Sequence, residues 1–212
     1  MKYYILLASI ALMGYLLGSI NSAVILSKTF YGQDIRTQGS GNAGMTNMNR
    51  VYGKKAALFT FLGDFCKGII AVLLGKLLFS LFGFDASQGA CIAGALAVIG
   101  HNWPVYFGFK GGKGVLTSFS VLLMVAPIPA LLSLVVFVAV VALTKYVSLG
   151  SMLGAALLPI MVFFAGDYLF VTSGMTSTFW LCVFVALLII VRHHTNIKRL
   201  IKGEESKLSL KK

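Results

Sequence analysis

Three polar clusters interrupt an otherwise apolar chain, and each combines residue types that can hold an anion. The first runs Gly39-Ser40-Gly41-Asn42-Ala43-Gly44-Met45-Thr46-Asn47-Met48-Asn49-Arg50. Its glycines allow positive φ and close approach, so successive N–H groups can converge on an anion. Ser40, Asn42, Thr46 and Asn47 add neutral hydrogen-bonding groups, and Arg50 supplies a planar fork matched to phosphate oxygens. The competing reading is a flexible Gly/Asn connector with one snorkelling arginine, but a connector needs no such density of donors.

The second cluster is His101-Asn102-Trp103-Pro104, followed by Gly108-Phe109-Lys110-Gly111-Gly112-Lys113-Gly114-Val115. Gly-Gly-Lys-Gly opening a helix brings a flexible turn, Lys113 and a positive helix end together, which suits an anion. It is not a Walker A loop, which needs Ser or Thr after the lysine and a preceding strand. Taken alone, two lysines in a glycine turn are accounted for equally well by membrane topology. The third cluster is Arg192-His193-His194-Thr195-Asn196-Ile197-Lys198-Arg199-Leu200, continuing to Lys202-Gly203-Glu204-Glu205. On a helix His193 and Asn196 share a face. An imidazole, with its ordinary pKa near 6.5, can accept a proton or donate to a phosphate; anchoring a helix end at the membrane interface is the alternative.

The elements that position these clusters are long apolar blocks. Fifty-eight per cent of the 212 residues are apolar and 11% charged, which excludes an ordinary soluble domain. A helix needs about 20 apolar residues to cross a hydrocarbon core of roughly 30 Å. Seven candidate spans follow: about 3 to 27, 56 to 80, 87 to 107, 114 to 127, 129 to 146, 150 to 170 and 176 to 192. The fourth is short and ends in the Pro127 to Pro129 turn, so it either crosses or forms a re-entrant hairpin. The first lacks the basic start and cleavage site of a signal peptide and reads as a retained span.

Charge sets the orientation. Fifteen of the eighteen basic residues lie in segments 28 to 55, 108 to 113, Lys145 and the tail from Arg192. With seven crossings all four segments share one side, which the positive-inside rule makes cytoplasmic. The amino terminus is then outside and the carboxyl terminus inside. The opposite side holds Lys2 and the turns Phe84 to Ser87, Pro127 to Pro129 and Thr172 to Thr176. The net charge of +12 is accounted for by topology and anionic lipid, not by nucleic acid. Cys66, Cys91 and Cys182 stand singly in apolar segments and read as packing residues. No internal repeat or linker appears, so the expected architecture is all-α: one polytopic membrane helix bundle over 1–212. Within the second span, Asp64 and Lys67 stand at i,i+3, where an isolated charge costs about 2.5–3.5 kcal/mol. They should face the bundle, either as a structural ion pair or on a substrate path.

The three clusters GSGNAGMTNMNR, GHNWPVYFGFKGGKGV and RHHTNIKRLIKGEE resemble, in order and interval, the cytoplasmic motifs of the bacterial acyl-phosphate-dependent glycerol-3-phosphate acyltransferases, the PlsY family. The likeness extends to Gly18-Ser19-Ile20, Asp34-Ile35-Arg36, Asp64 with Lys67-Gly68, and Tyr146-Val147-Ser148-Leu149-Gly150-Ser151. Asn21, Ala43 and Met45 depart from residues common in the family. The resemblance implies a seven-helix inner-membrane enzyme with its active site at the cytoplasmic face. It would take acyl phosphate from the membrane and glycerol 3-phosphate from the cytoplasm, releasing 1-acylglycerol 3-phosphate and phosphate, with no cofactor or metal. It implies Ser40, His193 and Asn196 as catalytic residues. Arg50, Lys113, Lys110, Gly39, Gly41, Asn42, Gly111, Gly112, Ser148, Ser151 and Glu205 would bind substrate or phosphate.

Two rival classes predict other features. A transporter would carry midplane polar groups and inverted repeats. A CDP-alcohol phosphotransferase would need a carboxylate-rich metal site, and Asp34, Asp64, Asp85, Asp167, Glu204 and Glu205 form no such cluster in the sequence.

Overall fold

The first apolar segment is broken. The computed structural model describes residues 1–169 and 175–208, without the side chains of 165–169 and 175. In it the segment forms α1 (Lys2–Ser19) and α2 (Ser22–Tyr31), with Ile20 and Asn21 extended between them. Asn21 caps α2, its Oδ1 accepting from the Val24 N–H at 3.1 Å. The break releases the Ile20 carbonyl from the helical ladder.

The rest follows the apolar blocks. After a 3-10 turn at Ile35–Thr37 come α3 (Met45–Tyr52), α4 (Lys54–Leu81) and α5 (Ala86–Asn102). A second 3-10 turn at Val105–Phe107 leads to α6 (Val115–Val125), α7 (Pro127–Thr144), α8 (Val147–Leu169), α9 (Met175–Arg192) and α10 (His194–Ile201). The second half of the first cluster, expected as a glycine loop, is therefore helical. Met48, Val51 and Tyr52 line one face of α3 and pack over Ala23, Val24, Ile35, Ala43 and Ala56.

Among the described residues, five stretches are long and apolar enough to cross a membrane: Lys2–Tyr31, Lys54–Leu81, Ala86–Phe107, Pro127–Thr144 and Val147–Phe164. There is a sixth if Thr176–Arg192 and His194–Ile201, bent by 55°, form one span. Seven crossings therefore depend on α6, whose 11 residues reach about 16 Å. Most of the Thr172 to Thr176 turn, the side chain of Asp167, and Lys211 and Lys212 lie outside the described residues.

The chain folds into two compact units, Met1–Met124 and Val125–Lys212. In the first, small residues let helix backbones touch, the means of association available where lipid removes the hydrophobic drive. A Cβ on Gly14 would stand 2.5 Å from the Ala93 carbonyl oxygen, and one on Gly18 2.6 Å from Ala97 Cα. Gly14 and Gly18 on α1 thus seat against Ala93 and Ala97 on α5 at matching i,i+4 spacing. This contact brings the α1–α2 break beside the carboxyl end of α5.

At that place Lys67 of α4 is buried. Its Nζ donates to the Ile20 carbonyl at 2.8 Å, pairs with Asp64 Oδ1 at 2.8 Å and lies 2.9 Å from His101 Nδ1. Asp64 and Lys67 face inward as expected, and His101 and Ile20 join them. In the second unit Ser133 Oγ of α7 donates to the Gly154 carbonyl of α8 at 2.8 Å. Outward faces are apolar, with Leu58, Phe59 and Leu62 exposed on α4 and Leu131, Val135 and Val138 on α7, as lipid-facing helices require.

Gly18→Leu should force α1 off α5. Overpacking of this kind costs about 1–3 kcal/mol, so the thermal unfolding midpoint in detergent should drop. Gly32→Asn, at a helix end with φ +65° and open space, should stay near wild type. Equal midpoints for the two variants would show that the α1–α5 contact is not rigid.

Candidate active site

The first loop is organised by a side chain that the sequence offered as an anion ligand. Asn47, buried on α3, accepts from the Ser40 N–H at 2.9 Å and donates to the carbonyls of Gln38 at 2.9 Å and Ile35 at 3.3 Å. Gly39, at φ +55°, lies so close that a Cβ would collide with Asn47 Oδ1. The Gly41 N–H donates to the Gln38 carbonyl at 2.9 Å, and the Gly44 N–H to Asn42 at 3.1 Å. The amides of Ser40, Gly41 and Gly44 are thus engaged within the loop. What the loop presents outward are side chains: Ser40 is exposed, Asn42 is half-buried, and Arg50 is exposed on the last turn of α3.

The second loop shows the same division. Gly111 N–H donates to the Asn102 carbonyl at 3.2 Å and Gly112 N–H to the His101 carbonyl at 3.1 Å. A Cβ on Gly112 would collide with His101 Nε2 and stand 2.6 Å from the Ala43 carbonyl oxygen. These glycines contribute room. Lys110 is exposed and Lys113 is half-buried.

Arg36 joins the two loops. Its Nη1 donates to the carbonyls of Phe107 at 2.6 Å and Lys110 at 2.9 Å, while Nε and Nη2 grip Asp34 at 2.9 and 2.7 Å. The Arg36 side chain holds the Asp34 carboxyl well below the usual carboxylate range against the opposing effect of burial, helped by the Arg36 N–H and by Lys28. Asp34 in turn strengthens the Arg36 charge. A fork that donates in two directions does what a lysine cannot. The i,i+2 spacing of Asp34 and Arg36 was the visible signal, but their partners on the second loop lie more than seventy residues away.

In the second unit His193 sits at the 55° bend between α9 and α10 and is 3% exposed. Its Nδ1 is 2.7 Å from the Ile189 carbonyl oxygen. A carbonyl only accepts, so Nδ1 carries the proton and a neutral ring has its lone pair on Nε2. Glu205 is a hub that accepts from Ser148 Oγ at 2.7 Å, Asn196 Nδ2 at 2.6 Å and Arg199 Nε at 2.7 Å. Burial raises the Glu205 carboxyl pKa, but Ser148, Asn196 and Arg199 together bring it below its ordinary value. Ser151 Oγ donates to the Val147 carbonyl at 2.9 Å within α8. The tail folds back on the α7–α8 turn, with Leu208 N–H donating to the Lys145 carbonyl at 2.7 Å and Lys207 Nζ 5.6 Å from the Tyr146 ring centre.

The fold and these loops define a membrane-embedded helical protein whose polar groups suit phosphorylated ligands. The comparisons with known proteins place it more closely. The family model described as glycerol-3-phosphate acyltransferase matches residues 8–203. A protein of that name from Clostridioides difficile is 45% identical over 203 residues, covering 96% of each chain. One from Thermoanaerobacter pseudethanolicus is 47% identical over 201 residues, covering 95% of each. Crystal structures of PlsY, an integral membrane glycerol 3-phosphate acyltransferase, match with TM-scores of 0.83 in the glycerol 3-phosphate form and 0.81 in the lysophosphatidic acid form. They are 36% and 35% identical and cover 96% of this chain. The chain therefore belongs to the glycerol-3-phosphate acyltransferase family of the PlsY type and is an acyltransferase. The match runs through both compact units.

Glu205→Gln keeps the shape of the hub and removes its charge. A carboxyl with a lowered folded pKa contributes its full stability above its ordinary value of about 4.5, and loses it as the pH falls through the folded value. The stability gap between wild type and Glu205→Gln should be widest near neutral pH and close on acidification below that value. A gap that does not change with pH would deny Glu205 an ionised role.

Proposed function

We propose that the protein transfers an acyl group from acyl phosphate to the 1-hydroxyl of sn-glycerol 3-phosphate, giving 1-acylglycerol 3-phosphate and phosphate. This is the first acylation of phospholipid synthesis. The observation that carries the reading is full-length similarity, through both units, to a PlsY whose crystals include glycerol 3-phosphate and lysophosphatidic acid forms. The acyl phosphate donor is the finer part, and charge supports it. Each substrate phosphate carries about −1.5 to −2, and Arg50, Lys110 and Lys113 supply cations that offset the repulsion between two such groups.

In the proposed step the glycerol hydroxyl oxygen bonds to the acyl carbon and the bond from that carbon to the phosphate oxygen breaks. Phosphate leaves with the bonding pair. The hydroxyl proton passes to His193 Nε2, whose lone pair is set by the Nδ1–H bond to Ile189. Ser40 Oγ and Asn196 orient the reacting groups, Asn196 being steadied by Glu205 and Ser148. The leaving group is already good, so positioning and charge carry most of the catalysis. No cofactor enters the scheme, and residues 1–212 act as one enzyme.

The topology proposed with it has seven crossings in a bacterial inner membrane, the amino terminus outside, and the carboxyl terminus and active site cytoplasmic. Charge supports α6 as a crossing. Were α6 not to cross while the other six spans did, Lys145 and the basic tail would both fall on the side opposite segments 28 to 55 and 108 to 113, against the positive-inside rule. The short α6 buries Thr117, Ser118, Ser120, Val121 and Leu122, and backbone at membrane depth is tolerated where protein covers it.

Purified protein given palmitoyl phosphate and glycerol 3-phosphate should release phosphate and form lysophosphatidic acid, whereas acyl-CoA and acyl carrier protein donors should give no product. Turnover with either alternative donor alone would overturn the donor assignment. Lys113→Ala should raise KM for glycerol 3-phosphate or depress turnover. His193→Ala should lower kcat by about 100-fold or more. A kcat near wild type would pass proton acceptance to the departing phosphate, and an acyl-enzyme on Ser40 trapped by hydroxylamine would overturn direct transfer.

A further inference from the structure

The buried cluster around Lys67 fixes more than a helix contact. An ammonium group has three N–H donors and no acceptor. Lys67 Nζ donates to the Ile20 carbonyl at 2.8 Å, lies 2.9 Å from His101 Nδ1 and forms an ion pair with Asp64 Oδ1 at 2.8 Å. His101 Nδ1 must then be accepting, and the His101 ring is neutral with its proton on Nε2. That nitrogen lies at Gly112, in a space a Cβ would fill, beside the Ala43 carbonyl of the first loop. The His101 carbonyl meanwhile takes the Gly112 N–H at 3.1 Å. The ring and main chain of one residue thus shape the turn that carries Lys113.

We propose that Lys67 is a positioning residue for acyl transfer. Through Asp64 and the Ile20 carbonyl it holds His101 as the Nε2–H tautomer under Gly112, and so sets the second loop where substrate phosphate binds. The proposal rests on the reading of that loop as a phosphate site. A purely structural ion pair would be satisfied by any arrangement that buries no lone charge; this one also fixes which nitrogen faces the turn. On removal of Lys67 the Asp64 carboxylate keeps one nearby nitrogen, His101 Nδ1 at 3.7 Å. That nitrogen would then take a proton, changing the ring that supports Gly112.

The chain has three histidines, so a nitrogen-15 histidine spectrum of the purified full-length protein is tractable, with His101→Gln assigning the resonance. At neutral pH wild type should show His101 with unprotonated Nδ1 and protonated Nε2, and Lys67→Met should show protonated Nδ1. KM for glycerol 3-phosphate should rise about tenfold in Lys67→Met with kcat within about twofold of wild type, the mark of a displaced binding loop. Asp64→Asn with Lys67→Met removes both charges and guards against simple unfolding; it should fold and still show the raised KM. A protonated Nδ1 in wild type overturns the proposal. So does an unchanged KM in the folded double variant while Lys113→Ala raises it. If Lys113→Ala also leaves KM unchanged, the phosphate reading of the loop fails, and the spectrum alone then decides whether Lys67 sets the His101 tautomer.

Discussion

A lysine ammonium enclosed by apolar helices needs polar and anionic partners, and the arrangement of the first unit follows from how Lys67 finds them. Its three partners come from different places: the carbonyl left open by the α1–α2 break, Asp64 one turn away on α4, and His101 at the end of α5. Removing one partner of a buried pair leaves a charge uncompensated, at about 3–5 kcal/mol. The break at Ile20 and Asn21 is therefore part of how Lys67 is accommodated. Gly14 and Gly18 against Ala93 and Ala97 make it usable, because only a close α1–α5 contact brings the freed carbonyl and the histidine to one nitrogen.

The glycines of the two loops divide by role. Gly39 and Gly112 give room to Asn47 and His101, while the N–H groups of Gly41, Gly111 and Gly112 are engaged with nearby carbonyls. An anion at these loops is consequently met by side chains. Long cationic side chains can follow a moving phosphate, whereas main-chain donors stay fixed by their own hydrogen bonds.

Segment lengths were legible because hydrophobic length is a one-dimensional property; the apolar blocks end within a few residues of the observed helices. The break in the first block was not, since a helix apolar on all sides carries no periodic signal to lose at a kink. Its only mark was Asn21, a helix-capping type inside an apolar run. The helix α3 hid behind its glycines, although Met48, Val51 and Tyr52 carry helical spacing. Residue types at the candidate site were legible for the same reason that motifs are, being local. Pairings were not. Arg36 with the carbonyls of Phe107 and Lys110, Lys67 with Ile20 and His101, and Ser148 with Glu205 join residues far apart in the chain.

Two histidines meet their neighbours in opposite ways. At the α1–α2 break the freed carbonyl of Ile20 takes one lysine N–H, and the lysine donates another to His101 Nδ1, leaving the proton on Nε2. At the α9–α10 bend the carbonyl of Ile189 takes the proton of His193 Nδ1, leaving the lone pair on Nε2. Nδ1 therefore accepts in one ring and donates in the other, although both are buried. At the α1–α2 break the interruption exposes a main-chain oxygen that the ladder would otherwise consume, whereas at the bend the Ile189 carbonyl takes the His193 N–H at 3.1 Å as well as the ring. The group that meets the main-chain oxygen, ammonium in one case and imidazole in the other, thus decides which ring nitrogen carries the proton.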